Sequence, residues 1–162
     1  MTDTIPDEPK VDESKSYLSK LCHFKMDNNP LSMIEHFPME IFFKFGMPRR
    51  LVVMCGRQVG KSVSIALQGI LQAATTPSLH TLFIQPRFEQ IKRFSRNYVG
   101  RLIADSDYKD TLYDPDRENS ILQRSLPNGS NLHFTYAFLD ADRSRGLSVM
   151  KCAFDEVQDI NY

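Results

Sequence analysis

Between residues 51 and 160 the apolar positions fall into short blocks that follow two different periods. Leu51-Val52-Val53-Met54 is continuous and apolar, with polar residues and turn formers on either side. Such a run predicts a strand buried on both faces, as in a parallel sheet. In the next block Val63, Leu67, Ile70, Leu71 and Ala74 recur at helical intervals. They predict an amphipathic helix over 61–74, stopped by Thr75-Thr76-Pro77. Residues 81–85 predict a second strand, closed by Pro86. Phe88, Ile91, Phe94, Tyr98 and Leu102 predict a second amphipathic helix over 87–104, followed by a polar loop over 105–119. The apolar runs 121–126 and 132–138 flank Pro127-Asn128-Gly129-Ser130. In the second run Leu132, Phe134, Tyr136 and Phe138 alternate strictly, so the Asn-Gly pair predicts a hairpin. A charged loop over 140–145 leads through Gly146 to a last apolar stretch, 149–154, which ends on Asp155-Glu156. Strand, helix, strand, helix, hairpin, strand is the order of an α/β fold with a mainly parallel sheet.

The N-terminal third has a different texture. Residues 1–16 hold five acids, two lysines, Pro6 and Pro9, with almost nothing to bury, and read as a disordered acidic leader. Residues 17–162 read as part of a single domain. Asp27-Asn28-Asn29-Pro30 marks a turn or a helix start. Ile34, Phe37, Ile41 and Phe45 have helix-like spacing, interrupted at Pro38.

Composition narrows the function classes. The chain has 162 residues, 41% hydrophobic and 25% charged, which is ordinary for a globular protein. No apolar run approaches the ~18 residues of a membrane helix, and the polar, acidic first fifteen residues are not a secretory signal. Cys22, Cys55 and Cys152 form neither a disulfide framework nor a C-x-x-C pair, so an intracellular, reducing setting is expected, with Cys22 and Cys152 as buried small groups. His23, His36, His80 and His133 have no ligand spacing. Lys+Arg and Asp+Glu both number 20, which excludes nucleic-acid binding by bulk charge but not by a local strip. Arg87, Lys92, Arg93, Arg96 and Arg101 face Glu89 alone over 87–101; they make either a DNA-tracking strip or a solvated helix face.

Gly60-Lys61-Ser62 carries the strongest chemical signal. Binding a phosphate takes backbone N–H donors, a helix N-terminus and a mobile cation, and a glycine lets the loop close around the anion. Gly56, Arg57, Gln58, Val59 and Gly60 would form the cradle. Lys61 would reach the outer phosphates, and the Ser62 hydroxyl would sit on Mg²⁺. The usual loop has glycine at both ends; here Cys55 stands at the first glycine position. The second signal is the apolar run ending on Asp155-Glu156, about ninety residues downstream, which leaves room for intervening βα units. It puts both carboxylates at the carboxyl edge of a sheet, where open α/β folds bind ligands. Asp155 would hold Mg²⁺ and Glu156 would orient and deprotonate a water. Arg57, inside the loop, is either a transition-state finger or a solvent-facing loop arginine.

At these residues the chain resembles the terminase large subunit, the ATPase of viral DNA-packaging motors. Residues 49–62 are similar to that family's variant phosphate loop, R-Q-x-G-K-[ST], in which the first glycine is often missing. Asn128-Gly129-Ser130, Arg145-Gly146 and Phe154-Asp155-Glu156-Val157-Gln158 follow in the family's order and near its spacing, and the likeness runs from about Phe37 to Ile160. The resemblance implies a RecA-like P-loop NTPase fold of the additional-strand class. It also implies ATP hydrolysis with Mg²⁺, with Arg57 matching the family's loop arginine. Its implied partners are double-stranded DNA, a capsid portal, a small terminase subunit and further copies in a ring, in the host cell cytoplasm and away from any membrane. Where the family places a glutamine for adenine, after an aromatic-Pro element, Glu40 follows Phe37-Pro38-Met39. The resemblance further implies that the fold is incomplete at its C-terminal side. The strand after Asp155-Glu156 would lie between the phosphate-loop strand and the Asp-Glu strand, and the coupling motif and nuclease domain would follow. Other readings are a helicase-like ATPase and a truncated nucleotide-binding module without turnover. A GTPase lacks support, because there is no Asn-Lys-x-Asp motif.

Overall fold

A four-stranded sheet with helices against one face organises the chain. The computed structural model describes residues 23–27, 29–31, 50–114, 116, 119–137 and 148–160. In chain order the elements are β1 (Lys25–Met26), β2 (Asn29–Pro30), α1 (Lys61–Thr75), β3 (His80–Gln85) and α2 (Phe88–Arg93). A π-helical stretch (Phe94–Gly100) continues α2 into α3 (Arg101–Ala104). Then come α4 (Lys109–Leu112), β4 (Gln123–Ser125), β5 (Asn131–Tyr136), β6 (Lys151–Phe154) and a 3₁₀ turn (Val157–Asp159). The sheet order is β4-β5-β3-β6. β5 and β6 run parallel to β3 on its two sides, and β4 closes the far edge as the antiparallel arm of the hairpin. The expected mixed α/β fold with a mostly parallel sheet is present.

Strand alternation decides which face is covered. Phe83, Leu132 and Phe134 point to the helical side, where they pack with Leu67, Ile70, Ile91, Phe94 and Leu102 of α1 and the second helical arm. Phe83 stacks on Phe134 with ring centroids 5.4 Å apart and tilts against Phe94 at 5.2 Å. On this face α1 approaches closely enough that a Cβ on Gly69 would lie 2.3 Å from Phe83 Cζ. Residues of the other parity carry the second face. There His80 and His133 stack at 5.7 Å, while Cys152 and Phe154 of β6 are exposed. The expectation that Cys152 is buried is therefore corrected. It belongs to the parity of β6 that points away from the helices, where the thiol is exposed although partial burial still pushes its pKa up.

The hairpin turn also fastens α1. Asn128 Nδ2 donates to the carbonyls of Ala73 (2.7 Å) and Ala74 (3.2 Å), which a helix end leaves without internal partners. Ser130, fully buried, donates its hydroxyl to Thr76 O at 2.8 Å and accepts from Leu79 N at 3.0 Å. Gly129, at φ 84°, lets the chain reverse there.

Three further expectations need correction. Residues 51–54 do not form a strand. They make no ladder hydrogen bonds, and Val52 and Met54 are 88% and 95% exposed. A strand buried on both faces needs a neighbour on each side. β6 is the outermost described strand, and residues 51–54 do not pair with it. Only Val53 of this run packs against the core. The predicted second helix is not uniformly α: its middle is a π-helix. Arg124 Nη2 reaches in from β4 to donate to Ser95 O at 3.2 Å, and at Gly100 an added Cβ would sit 2.9 Å from that Nη2. A side chain inserted into the helical ladder is an established cause of such irregularity. Finally, the 105–119 loop contains α4, whose Leu112 is buried in the core.

Phe24 plugs the core from the N-terminal side, and Asp107 holds its neighbours. The carboxylate accepts from Lys25 Nζ at 2.8 Å and lies 3.2 Å from His23 Nδ1, and these contacts draw the Asp107 carboxyl below its ordinary range. β1 and β2 pair across the turn expected at Asp27. The leader, the helix-like spacing of Ile34, Phe37, Ile41 and Phe45, the Phe37-to-Glu40 segment, Cys22, His36, Phe138 and the loop with Arg145-Gly146 lie outside the described residues. Among the described residues no helix is long and apolar enough to cross a membrane.

Candidate functional site

The loop over 55–60 bends through the left-handed region at Gln58 (φ 62°) and again at Gly60 (φ 83°), then enters α1. Alternating backbone handedness of this kind turns successive N–H groups toward one concavity. At the α1 N-terminus no side chain caps the helix and no acid stands in the first turn. The first N–H groups of the helix are therefore left without a side-chain cap, a setting that attracts negative charge. Ser64 instead bonds back to Gly60 O through both its N–H and its hydroxyl, each at 2.9 Å, fixing the first turn.

β6 delivers the acids to this place. It lies beside β3 and runs the same way, so Asp155 leaves the sheet next to the end of β3, with its N–H donating to Ile84 O at 3.0 Å. Ser62 Oγ donates to Asp155 Oδ2 at 2.8 Å, across 93 residues of chain. Lys61 Nζ lies 2.6 Å from Glu156 Oε1 and 3.9 Å from Asp155 Oδ1. The hydrogen bond to Glu156 raises the Lys61 pKa against the opposing effect of burial. The same bond, with help from Gln158 and the charge of Arg57, holds Glu156 below the usual carboxylate range. Glu156 itself is left-handed (φ 56°), a strained conformation for a residue with a Cβ, and it turns the chain back over the cleft.

The structure thus brings together Lys61, Ser62, Asp155 and Glu156. Gly56, Arg57, Gln58, Val59 and Gly60 line the same open cleft, of about 810 Å³. Arg57 is exposed at its rim.

Several residues at the site escape a sequence reading. Gln85, buried at the end of β3, donates its Nε2 to Asp155 Oδ2 at 3.1 Å. Gln158 donates to Glu156 Oε2. Gln90 and Tyr98 form the opposite wall of the cleft. Tyr98 was expected on the core stripe of its helix, and it does pack there, but the π-helical turn also presents it to the cleft. The one available signal for Gln85 was a polar residue at a core-facing strand position directly before Pro86.

The basic strip is partly neutralised within the molecule. Lys92 pairs with Glu89 at 3.8 Å, and Arg101 pairs with Asp27. Arg93 and Arg96 remain exposed. No family model, no curated protein and no solved structure matches the chain.

Proposed function

We propose that this chain binds ATP·Mg²⁺ at the 55–62 loop and contributes the core of a P-loop ATPase, RecA-like and of the additional-strand class. The observation that carries the reading is the convergence of two distant motifs. A Gly-Lys-Ser helix start and an Asp-Glu strand end meet with Ser62 Oγ 2.8 Å from Asp155 and Lys61 Nζ 2.6 Å from Glu156. A chance Gly-Lys-Ser has no reason to meet paired acids at the carboxyl edge of a parallel sheet.

The donor set suits a hydrated magnesium ion. Ser62 and Asp155 supply a hydroxyl and a carboxylate side by side, and hard oxygen ligands with retained water are what this ion takes. Bound there, it would neutralise phosphate charge. Lys61 would leave Glu156 for the outer phosphates, the loop N–H groups would hold the remaining oxygens, and the released Glu156 carboxylate would take a proton from the attacking water. Arg57, at the rim, would act on charge that grows in the transition state. In this reading Arg57 and Glu156 are catalytic, and residues 56–62 with Asp155 bind the nucleotide and metal.

The motif series that resembles the terminase large subunit extends the proposal to a motor subunit that moves double-stranded viral DNA into a capsid, working in a ring with a portal and a small subunit. A second reading, a nucleotide-binding module without turnover, is favoured by one observation: residues 51–54, which precede the loop, have no strand partner. Titration of wild type and Lys61→Ala with a fluorescent ATP analogue tests the shared core of both readings. The expected result is saturable binding that the substitution abolishes; equal affinity in the two proteins would remove the loop assignment. DNA-stimulated ATP hydrolysis then separates the motor from the passive module.

A further inference from the structure

Four buried side-chain polar atoms among the described residues have no hydrogen-bond partner: Thr81 Oγ1, Gln85 Oε1, Ser95 Oγ and Arg124 Nε. Gln85 Oε1 is the one that belongs to a side chain touching the candidate site. Gln85 is 6% exposed, and its Nε2 donates to Asp155 Oδ2, the same oxygen that accepts from Ser62 Oγ. The orientation of the amide is fixed by chemistry. Turning it over would set its oxygen against a carboxylate oxygen and leave two N–H groups without acceptors. The free oxygen therefore stands one amide width from the Asp155 carboxylate and lacks a donor.

The position is costly to fill this way. Thr81, Phe83 and Gln85 share one face of β3, the face that meets the helices. A methionine of the same length would meet the packing need of a strand end without stranding an acceptor. A buried amide at this position, with its donor committed to the acid, fits a role in holding that acid rather than in packing. Groups that hold a ligating carboxylate from outside orient it toward the metal.

We propose that Gln85 is a positioning residue for a divalent cation held by Ser62 and Asp155: its Nε2 fixes the Asp155 carboxylate. The proposal rests on the ATP·Mg²⁺ reading above and goes beyond it by assigning a role to a strand outside both motifs. It accounts for the meeting of Ser62 and Gln85 on a single carboxylate oxygen, which leaves Asp155 Oδ1 turned toward Lys61 and the Glu156 N–H.

The test uses the whole chain, Mn²⁺ as the probe, and electron paramagnetic resonance to count free ion at fixed ATP. Gln85→Met should weaken Mn²⁺ binding by roughly 10- to 100-fold, the range for loss of an outer-shell partner. Affinity for ATP in EDTA should be unchanged. Gln85→His keeps a ring N–H donor at the strand end, so it should retain more Mn²⁺ affinity than Gln85→Met. A purely structural glutamine would make both variants lose affinity together, along with thermal stability, and that result overturns the proposal. So does wild-type Mn²⁺ affinity in Gln85→Met. If Gln85→Met does not fold, the His variant decides alone, since a loss of Mn²⁺ affinity beyond about 100-fold, the top of the range for an outer-shell partner, refutes the role of a retained donor. A wild-type protein that binds ATP in EDTA yet no Mn²⁺ refutes the cation site while sparing the loop. Failure to bind ATP at all refutes the functional reading itself.

Discussion

Glu156→Gln should tighten nucleotide binding while removing turnover, and the two effects have separable causes. In the structure Lys61 is committed to Glu156 at 2.6 Å, with the lysine and glutamate side chains 26% and 32% exposed. A nucleotide must draw the ammonium away from that carboxylate before its outer phosphates gain the charge. Charge-assisted hydrogen bonds contribute about 1.5–3 kcal/mol when sheltered, and exposed ion pairs contribute at most about 1 kcal/mol. A pair this accessible to water falls near the junction of those ranges, at about 1 kcal/mol. Glutamine keeps the shape and a weak acceptor but loses the charge. Most of that opposing energy disappears, which corresponds to about five-fold tighter binding. The assay is calorimetric titration with ATP in EDTA, where the metal plays no part. Turnover in a fully assembled enzyme should fall by at least about two decades, the scale of a lost general base. Weaker nucleotide binding in Glu156→Gln would refute the competition, because the carboxylate would then be helping to hold the phosphate. The pair also has a pH signature. Glu156 is lowered in the fold, so its contribution to stability is complete above the unfolded carboxyl value and is lost as pH falls through the lowered one. Lys61 is raised, so its share is complete below the ordinary lysine value of 10.5 and is lost as pH rises past the raised one. Between these limits the stabilisation from this pair should be flat.

Gly69→Ala gains helix propensity of about 1 kcal/mol, but it drives a Cβ to 2.3 Å from Phe83 Cζ. Phe83 is wedged between Phe94 and Phe134, so overpacking of roughly 1–3 kcal/mol should win; a raised denaturation midpoint would contradict the close packing. Lys151, half-buried beside Gln68 and Gln72, has its pKa pushed down to about 8 by that burial. Between that value and the ordinary lysine value the unfolded chain binds more protons than the folded one, so stability should rise with pH in that window. Lys151→Met should therefore stabilise the fold at pH 7, by on the order of 1–3 kcal/mol, with the gain shrinking toward pH 10; urea midpoints at both pH values measure it. Arg57→Ala should reduce turnover far more than ATP affinity, since the guanidinium stands at the rim of the cleft. Equal losses in a steady-state kinetic and binding comparison would make Arg57 a plain phosphate ligand.

α1 and β5 were legible in the sequence because each carries its own period: helical spacing from Val63 to Ala74, strict alternation from Leu132 to Tyr136. The meeting of Ser62 with Asp155 was legible because each motif independently points to the same edge of a parallel sheet. Residues 51–54 were misread for a physical reason: an apolar run sets the composition of a buried strand, but its ladder depends on neighbours elsewhere in the chain. The π-helical turn was illegible because its cause, Arg124, lies on another element and inserts only after folding. Gln85 was passed over because a polar residue at a strand end looks like the beginning of a loop. Only its burial against Asp155 separates the two cases.

Asn128 grips one end of α1, and Lys61 and Ser62 stand at the other. A helix of 15 residues is a rod of about 22 Å at 1.5 Å per residue. The bond from Asn128 to Ala73 O therefore makes the β4–β5 hairpin the tail of a lever whose head holds the cleft. Along-axis stiffness is high in such a rod, and midway along it Gly69 packs directly against the Phe83 ring. A piston-like displacement of a few tenths of an ångström at the loop would reappear at the hairpin nearly undiminished, and a load applied to the hairpin would be felt by Lys61. Mechanical traffic between cleft and far edge of the sheet thus has a stiff route along α1 beside the one through the β3–β5 ladder, and Asn128 and Ser130 together clamp its far end.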